Sequence, residues 1–335
     1  MLIDSYGRTL DYLRVSITDR CNLRCIYCMP KEGVEWKSHE EMLSFEEILR
    51  ICRIMAELGI RKFKITGGEP LVRRGAAGFL KNLRAIPGTE KITLTTNGLL
   101  LGAFLDETRA LDVLPDGVNI SLDSLDSGRF AHLTRTDGMN PHEILRLVDL
   151  LFEKHVSVKI NCVPVRSINE EDILPLAALA KDRDICVRFI ELMPLGAASA
   201  FMPIPGGEIA SIIEKAFGNL ELSTDKKGNG PAVYYSLPGF SGKIGFINPL
   251  THGFCETCNR LRLTSEGFLK PCLSYDLGLD LRQLLRSGAS DSELTLAITD
   301  AAAKKPKSHS LSDIYGPIPD GEQGQHGDGM FGIGG

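Results

Sequence analysis

The run Cys21-x3-Cys25-x2-Cys28 brings three thiols close together along the chain. Three thiolates at this spacing can hold three irons of a [4Fe–4S] cluster, leaving the fourth iron open to a substrate or cofactor. The competing chemistry is a zinc site, which ordinarily needs a fourth ligand, and the nearest histidine, His39, stands eleven residues after Cys28. A second set, Cys255-x2-Cys258-x13-Cys272, again has three cysteines rather than four. Here zinc is the closer competitor, because His252 lies three residues before Cys255 and completes a Cys3His set. Arg260 and Arg262 follow at once in C-N-R-L-R, and on a strand that spacing turns both guanidinium groups to one face, suited to a polyphosphate. No G-x-x-x-x-G-K-[ST] loop occurs, so phosphate would be met by side chains rather than by a P-loop. Cys52, Cys162 and Cys186 sit within helix or strand patterns and read as small core residues.

Positioning these groups requires a scaffold, and the chain supplies an alternating one. Segments Tyr12–Thr18, Lys62–Thr66, Lys91–Thr96, Val118–Leu122, Val156–Val163 and Val187–Ile190 read as strands. Helical patterns lie between them, the clearest being SFEEILRICRIMAELG with Ser44 and Glu47 as a capping box and Gly59 closing it. Others are expected at Gly78–Leu83, Pro141–Lys154 and Ile173–Asp182. Strand and helix thus alternate six times over roughly the first 180 residues, as in a parallel sheet or barrel. One face of the strands carries Tyr12, Arg14, Lys62, Lys64, Thr93, Thr95, Asn119, Ser121, Asp123, Lys159, Asn161 and Arg188, while the other carries Leu13, Val15, Phe63, Ile65, Val158 and Ile160. Crossover helices must bury the apolar face, so the polar and partly cationic face lines the interior. An open sheet with one solvated face satisfies the same periodicity.

The organisation changes near residue 200, which divides the chain into 1–200, a smaller region 201–310 carrying the second cysteine set, and a tail 311–335. A helix is expected at Glu208–Phe217 and short strands at Val233–Leu237 and Lys243–Ile247. From Lys304 onward the composition turns glycine-rich, which normally makes a mobile terminus, and its G-x-G-x-x-G at Gly327, Gly329 and Gly332 lacks the preceding strand of a dinucleotide site. The 335 residues are 43% hydrophobic and 24% charged, the composition of a folded globular protein, and the net charge of −5 argues against nucleic acid. No stretch is long and apolar enough for a membrane span and the N-terminus lacks a signal-peptide core, so a cytoplasmic location is expected, where nine cysteines stay reduced.

The first cysteine run resembles the radical S-adenosylmethionine (SAM) signature. Combined with Arg14-x6-Cys21, ITGGEPLVRR, LTTNGLLL, NISLDSLD, the second cysteine set with NRLR, and the terminal MFGIGG, nearly the whole chain resembles the molybdenum cofactor biosynthesis protein A family of GTP 3′,8-cyclases. That resemblance implies an incomplete (βα)6 TIM-like barrel with a smaller C-terminal region closing the barrel mouth. It implies two [4Fe–4S] clusters and SAM as cofactors, with Cys21, Cys25 and Cys28 holding the cluster that binds SAM and Cys255, Cys258 and Cys272 the cluster that binds substrate. Tyr27, Gly68, Ser121 and Met193 match SAM-contacting positions, and Arg14, Lys64, Thr95, Lys159, Arg260 and Arg262 match GTP-contacting ones. Arg260, Arg262, Gly334 and Gly335 match positions that serve catalysis. Lys64 stands where many relatives carry arginine, which keeps the charge and loses the bidentate fork.

The implied reaction is radical cyclisation of GTP to (8S)-3′,8-cyclo-7,8-dihydroguanosine 5′-triphosphate, the first step of molybdenum cofactor biosynthesis. A 5′-deoxyadenosyl radical takes the 3′ hydrogen and the sugar carbon closes onto guanine C8. The implied partners are a flavodoxin- or ferredoxin-type electron donor and a downstream cyclic pyranopterin monophosphate synthase, and a homodimer is compatible with the family. Two other readings stand beside this one. Another radical SAM enzyme with an auxiliary cluster, such as a peptide maturase, would have little need of Arg260 and Arg262. A zinc-binding interaction module would carry no redox chemistry.

Overall fold

The structure, a computed structural model, describes residues 1–225 and 228–309. The strands are β1 Leu2–Ile3, β2 Thr9–Leu10, β3 Tyr12–Ser16, β4 Lys62–Thr66, β5 Lys91–Thr96, β6 Gly117–Ser121, β7 Ser157–Cys162, β8 Cys186–Ile190, β9 Glu221–Leu222, β10 Val233–Ser236, β11 Lys243–Ile247, β12 Arg260–Leu263, β13 Phe268–Lys270 and β14 Leu279–Asp280. The helices are α1 Phe45–Glu57, α2 Ala76–Arg84, α3 Leu101–Ala110, α4 Ser127–Thr134, α5 Pro141–Glu153, α6 Ile173–Ala178, α7 Gly206–Phe217, α8 Leu281–Arg286 and α9 Asp291–Ala303. β4, β5 and β11 match the expected spans end for end, and the other expected strands differ by one or two residues. α6 stops at Ala178, four residues short of the expected end.

Strands β3 to β8 pair in sequence order and all in parallel. The later region extends this sheet from both edges, β12 adding parallel to β3 and β11 parallel to β8. The remaining strands continue outward in antiparallel pairs, giving one linear sheet of twelve strands in the order β14-β13-β12-β3-β4-β5-β6-β7-β8-β11-β10-β9. Its end strands β14 and β9 do not pair, so the parallel strands form a partial barrel rather than a closed one. No described helix is long and apolar enough to cross a membrane.

Alternation decides which way each strand faces. Leu13, Val15, Phe63, Ile65, Ile92, Leu94, Val118, Ile120, Val158, Ile160, Val187 and Phe189 all lie in one apolar core between sheet and helices. The helices reach that core by ordinary devices. At α1 the Ser44 hydroxyl accepts from the Glu47 N–H at 3.1 Å while the Glu47 carboxylate accepts from the Ser44 N–H at 2.7 Å. Its far end closes as a Schellman turn, Ile60 N–H to Met55 C=O at 2.9 Å and Gly59 N–H to Ala56 C=O at 3.1 Å, with Gly59 at φ +106°. Cys52, Cys162 and Cys186 are buried.

Phe63 is fully buried beneath the helices. Phe63→Ala should therefore cost about 3–5 kcal/mol of folding free energy, read as a lower denaturant midpoint with unchanged slope.

Candidate active site

All six central strands are parallel, so their C-terminal ends share one rim, and the loop after β3 carries Cys21, Cys25 and Cys28 there. Gly67 and Gly68 let the loop after β4 dock against it. Gly68 N–H bonds Thr18 C=O at 2.9 Å and Glu69 N–H bonds Arg20 C=O at 2.8 Å. A Cβ on Gly68 would stand 2.4 Å from the Arg20 carbonyl oxygen, so any side chain there pushes the cysteine loop away. From the other side, Arg24 and Ile26 N–H groups take the last carbonyls of α4, Thr134 and Leu133, at 3.0 and 2.9 Å.

Two buried carboxylates tie this rim together. Glu69 accepts from Leu71 N–H at 3.0 Å, the Thr96 hydroxyl at 2.8 Å and Asn97 N–H at 2.7 Å, and Asn97 in turn bonds Asn22 at 2.8 Å. Burial pushes the Glu69 carboxyl up to about 7 despite those three donors. Asp123 takes the Tyr27 hydroxyl at 2.5 Å and Val163 N–H at 2.8 Å, and burial raises it to about 6. Tyr27, expected near SAM, thus fastens the cysteine loop to the end of β6. Ser121 ends β6 opposite Asn161, and Met193 follows β8, so both expected SAM positions reach the same rim.

The second cysteine set lies at the other end of the strands. Cys255 and Cys258 precede β12, whose Arg260 pairs with Tyr12 at the start of β3. Cys272 follows β13, which runs back antiparallel with Lys270 opposite Arg262. Along the strand direction the two sets are set apart by roughly the length of β3, about 13 Å at ~3.3 Å per residue. Arg260 stacks over Phe254 at 4.8 Å and its Nη2 lies 3.6 Å from the Cys258 sulfur. Burial works against ionisation of Cys258, but Arg260 and Lys305 outweigh it and bring the thiol down to about 7. At the first set burial wins, raising Cys21 and Cys25 and pushing Cys28 up to about 12.

Between the two ends runs a row of cations set by strand register: Arg262 opposite Arg14, and Arg14 opposite Lys64. Burial and mutual repulsion pull Arg262 and Lys64 well below their ordinary values and Arg14 to about 10. Lys64 and Lys159 line a cavity with Tyr12, Thr93, Asn119 and Arg188, bordered by Gly228–Gly230. A Cβ on Gly228 would sit 2.4 Å from the Lys159 ammonium, so this strip lies directly on the lysine. Arg188 is fixed by Asn161 at 2.5 Å and Asn119 at 2.9 Å, and Asn119 reaches the expected Thr95 hydroxyl at 3.3 Å. Like charges facing each other across neighbouring strands destabilise a sheet, and the field of this row favours an anion.

The donor sets also fit iron–sulfur chemistry. Among the described residues no three His, Cys, Asp or Glu side chains converge to grip a single metal ion. A cluster makes a different demand, because each thiolate meets a different iron and the sulfurs must stand apart around a cube. In the first loop Arg20 Nε and Asp19 Oδ1 are buried without a hydrogen-bond partner, leaving polar atoms for a bound group. Gly334 and Gly335, and with them the tail 311–335, lie outside the described residues. Sequence reasoning gave no role to Glu69, Arg188 or Lys305. Arg188 was signalled by alternation alone, whereas Lys305 sits in a segment expected to be mobile and is 3% exposed.

Residues 15–180 match the radical SAM superfamily and residues 185–311 match the Molybdenum Cofactor Synthesis C family. The structure of Streptococcus suis SuiB bound to precursor peptide SuiA superposes with TM-score 0.60 at 16% identity, covering 91% of this chain and 67% of that one. Fold and cysteine loop define a radical SAM enzyme. The sequence is 44% identical to the GTP 3′,8-cyclase of Clostridium perfringens (strain 13 / Type A) over 308 residues, 92% of this chain and 94% of the relative. It is 42% identical to that of Desulforamulus reducens over 316 residues, 93% and 96% of the two chains. The chain belongs to the GTP 3′,8-cyclase family, which uses SAM and iron–sulfur clusters.

Two outcomes follow for variants of this site. Gly68→Ala should lose about half of the bound iron, the share of the first cysteine set, with the second set's iron retained, as measured by iron and sulfide analysis of anaerobically purified protein. Lys64→Met should stabilise the ligand-free chain by about 1 kcal/mol or more in chemical denaturation while weakening triphosphate binding.

Proposed function

We propose that this chain cyclises GTP to (8S)-3′,8-cyclo-7,8-dihydroguanosine 5′-triphosphate, opening molybdenum cofactor biosynthesis. The observation that carries the reading is the row Arg262, Arg14 and Lys64 on adjacent strands, set between two cysteine sets at opposite ends of those strands. Three cations set side by side on one face match the charge density of a nucleoside triphosphate better than that of a peptide.

Cys21, Cys25 and Cys28 hold the cluster that binds SAM, with Tyr27, Gly68, Ser121 and Met193 shaping the cofactor's place on that rim. Bound there, cluster and SAM supply a hydrogen-abstracting carbon radical. Arg14, Lys64, Lys159 and Arg262 bind the triphosphate, Thr95 meets the nucleoside, and Arg188 completes the cationic wall. Cys255, Cys258 and Cys272 would hold the second cluster, which would supply a site for the purine, with Arg260 beside it. Gripping the nucleotide at both ends aims the ribose between them toward the first cysteine set, so orientation rather than acid–base chemistry is the protein's main contribution. The Gly228–Gly230 strip limits water in the cavity, and Gly334 and Gly335 serve catalysis. The enzyme works in the cytoplasm with a flavodoxin- or ferredoxin-type electron donor, as a homodimer, and passes its product to cyclic pyranopterin monophosphate synthase.

With GTP, SAM and reductant, Arg260→Ala and Arg262→Ala should each lower cyclised nucleotide by about 10²–10³-fold while SAM cleavage persists. Wild-type product yield in both variants refutes the assignment.

A further inference from the structure

The second cysteine set is held by a segment that the family resemblance did not single out. Lys305 follows α9 by two residues and is 3% exposed, and its ammonium donates to the carbonyls of Arg260 at 2.9 Å and Pro271 at 2.5 Å. Those carbonyls flank the site, one two residues after Cys258 and the other immediately before Cys272. Lys305 also lies close enough to Cys258 to favour its thiolate. The third cysteine is tied to the same segment by a different cation. Arg8 donates through Nη1 to the Cys255 carbonyl at 2.7 Å and the Lys307 carbonyl at 3.0 Å, and through Nη2 to the Pro306 carbonyl at 2.6 Å. Asp4 fixes Arg8 at 2.5 Å, with the Arg8 side chain 8% exposed and that of Asp4 fully buried. The main-chain N–H of His309 bonds the Cys255 thiol as well.

We propose that Lys305 is a positioning residue for the second cysteine set, and that residues 305–309, clamped by Arg8, form the wall that holds Cys255, Cys258 and Cys272 in place for their metal. This rests on the reading of those three cysteines as a metal site. Buried lysines are rare unless their charge is matched. Among the described residues the hydrogen bonds of Lys305 run to main-chain carbonyls rather than to a carboxylate. Those carbonyls, of Arg260 and Pro271, hold its ammonium just inside Cys258 and Cys272 in the chain. A lysine in this place does two things at once: it fixes two stretches of main chain more than ten residues apart in sequence, and it brings a positive charge to the sulfurs. Arg8 adds the N-terminal ribbon of β1 and β2 to the same clamp, so both ends of the described chain meet at this site.

The test uses the full chain, purified anaerobically, with iron, sulfide and zinc measured for wild type, Cys272→Ala, Lys305→Met, Lys305→Arg and Arg8→Ala. Lys305→Met and Arg8→Ala should lose the metal that Cys272→Ala loses and keep the metal of the first set. Lys305→Arg, which retains the cation, should recover most of it. The electron paramagnetic resonance signal of the reduced second cluster should weaken in step. Lys305→Met with the full wild-type load overturns the proposal, and so does a loss from both sets, which marks general misfolding. Zinc rather than iron in the wild-type second set would defeat the cluster reading alone, since zinc lost from Lys305→Met still supports the positioning role and zinc retained still refutes it. A second set that binds no metal in the wild type overturns both.

Discussion

Arg262, Arg14 and Lys64 face one another across three parallel strands, and the chain is built around keeping them there. Each sits directly opposite a like charge, in an interior that pulls all three below their ordinary values. Left to itself, such a row favours strands that slip or part. A one-residue slip would relieve the repulsion and would also turn Leu13, Val15, Phe63 and Ile65 out of the core, so apolar burial on the outer face fixes the register that creates strain on the inner one. The cost is recovered when a polyanion enters. Stability held in the helix layer is thus converted into affinity at the cavity, which is the usual trade between a stable chain and a working site.

Height along the strands then separates the two kinds of chemistry. The first cysteines stand past the C-terminal ends of β3 and β4, and the second stand before the N-terminal end of β12. That β12 runs parallel to β3 is what places the second set at the opposite end, since an antiparallel β12 would have carried Cys258 to the same rim as Cys21. The later region therefore contributes direction as well as ligands.

Much of this was legible in the sequence. Alternation in Tyr12–Ser16, Lys62–Thr66 and Ser157–Cys162 tells inward from outward residues, and the spacing of the first three cysteines favours a cluster over a four-ligand zinc site, while His252 leaves zinc open at the second set. Pairing between distant segments was not legible. Nothing local to Arg262 says that it will sit opposite Arg14, some 250 residues earlier, because that contact depends on the edge strand chosen by a separate region. Lys305 was hidden for a related reason: the glycine-rich composition that begins nearby describes the tail, while the fate of Lys305 is set by carbonyls of Arg260 and Pro271 that only the folded chain brings to it. Gly67 and Gly68 were read as a cofactor-binding turn, and the structure adds a second reason for them, the close approach of the cysteine loop.

The distribution of buried charge gives these separate observations a common logic. The chain is net acidic, yet its cavity wall collects Lys64, Lys159 and Arg188, with Arg14 on the strand beside Lys64, while the buried carboxylates Glu69 and Asp123 sit at the rim beside the first cysteines. The two small molecules of the proposed reaction are opposite in kind. SAM presents a sulfonium and an ammonium, and GTP presents a triphosphate. In a low-dielectric interior a cationic ligand is favoured near carboxylates and an anionic one near guanidinium and ammonium groups, and the difference between the two ends acts on where each ligand settles as well as on how tightly it binds. Burial raises Glu69 and Asp123 to about 7 and about 6, so a cation arriving at the rim would draw them further toward the carboxylate form, while a triphosphate would offset the mutual repulsion that lowers Arg14 and Lys64. Each ligand relieves the strain of the end it suits and finds none to relieve at the other. Binding energy of this kind sets orientation, and in a reaction whose radical attacks whatever lies nearest, orientation is what decides the product.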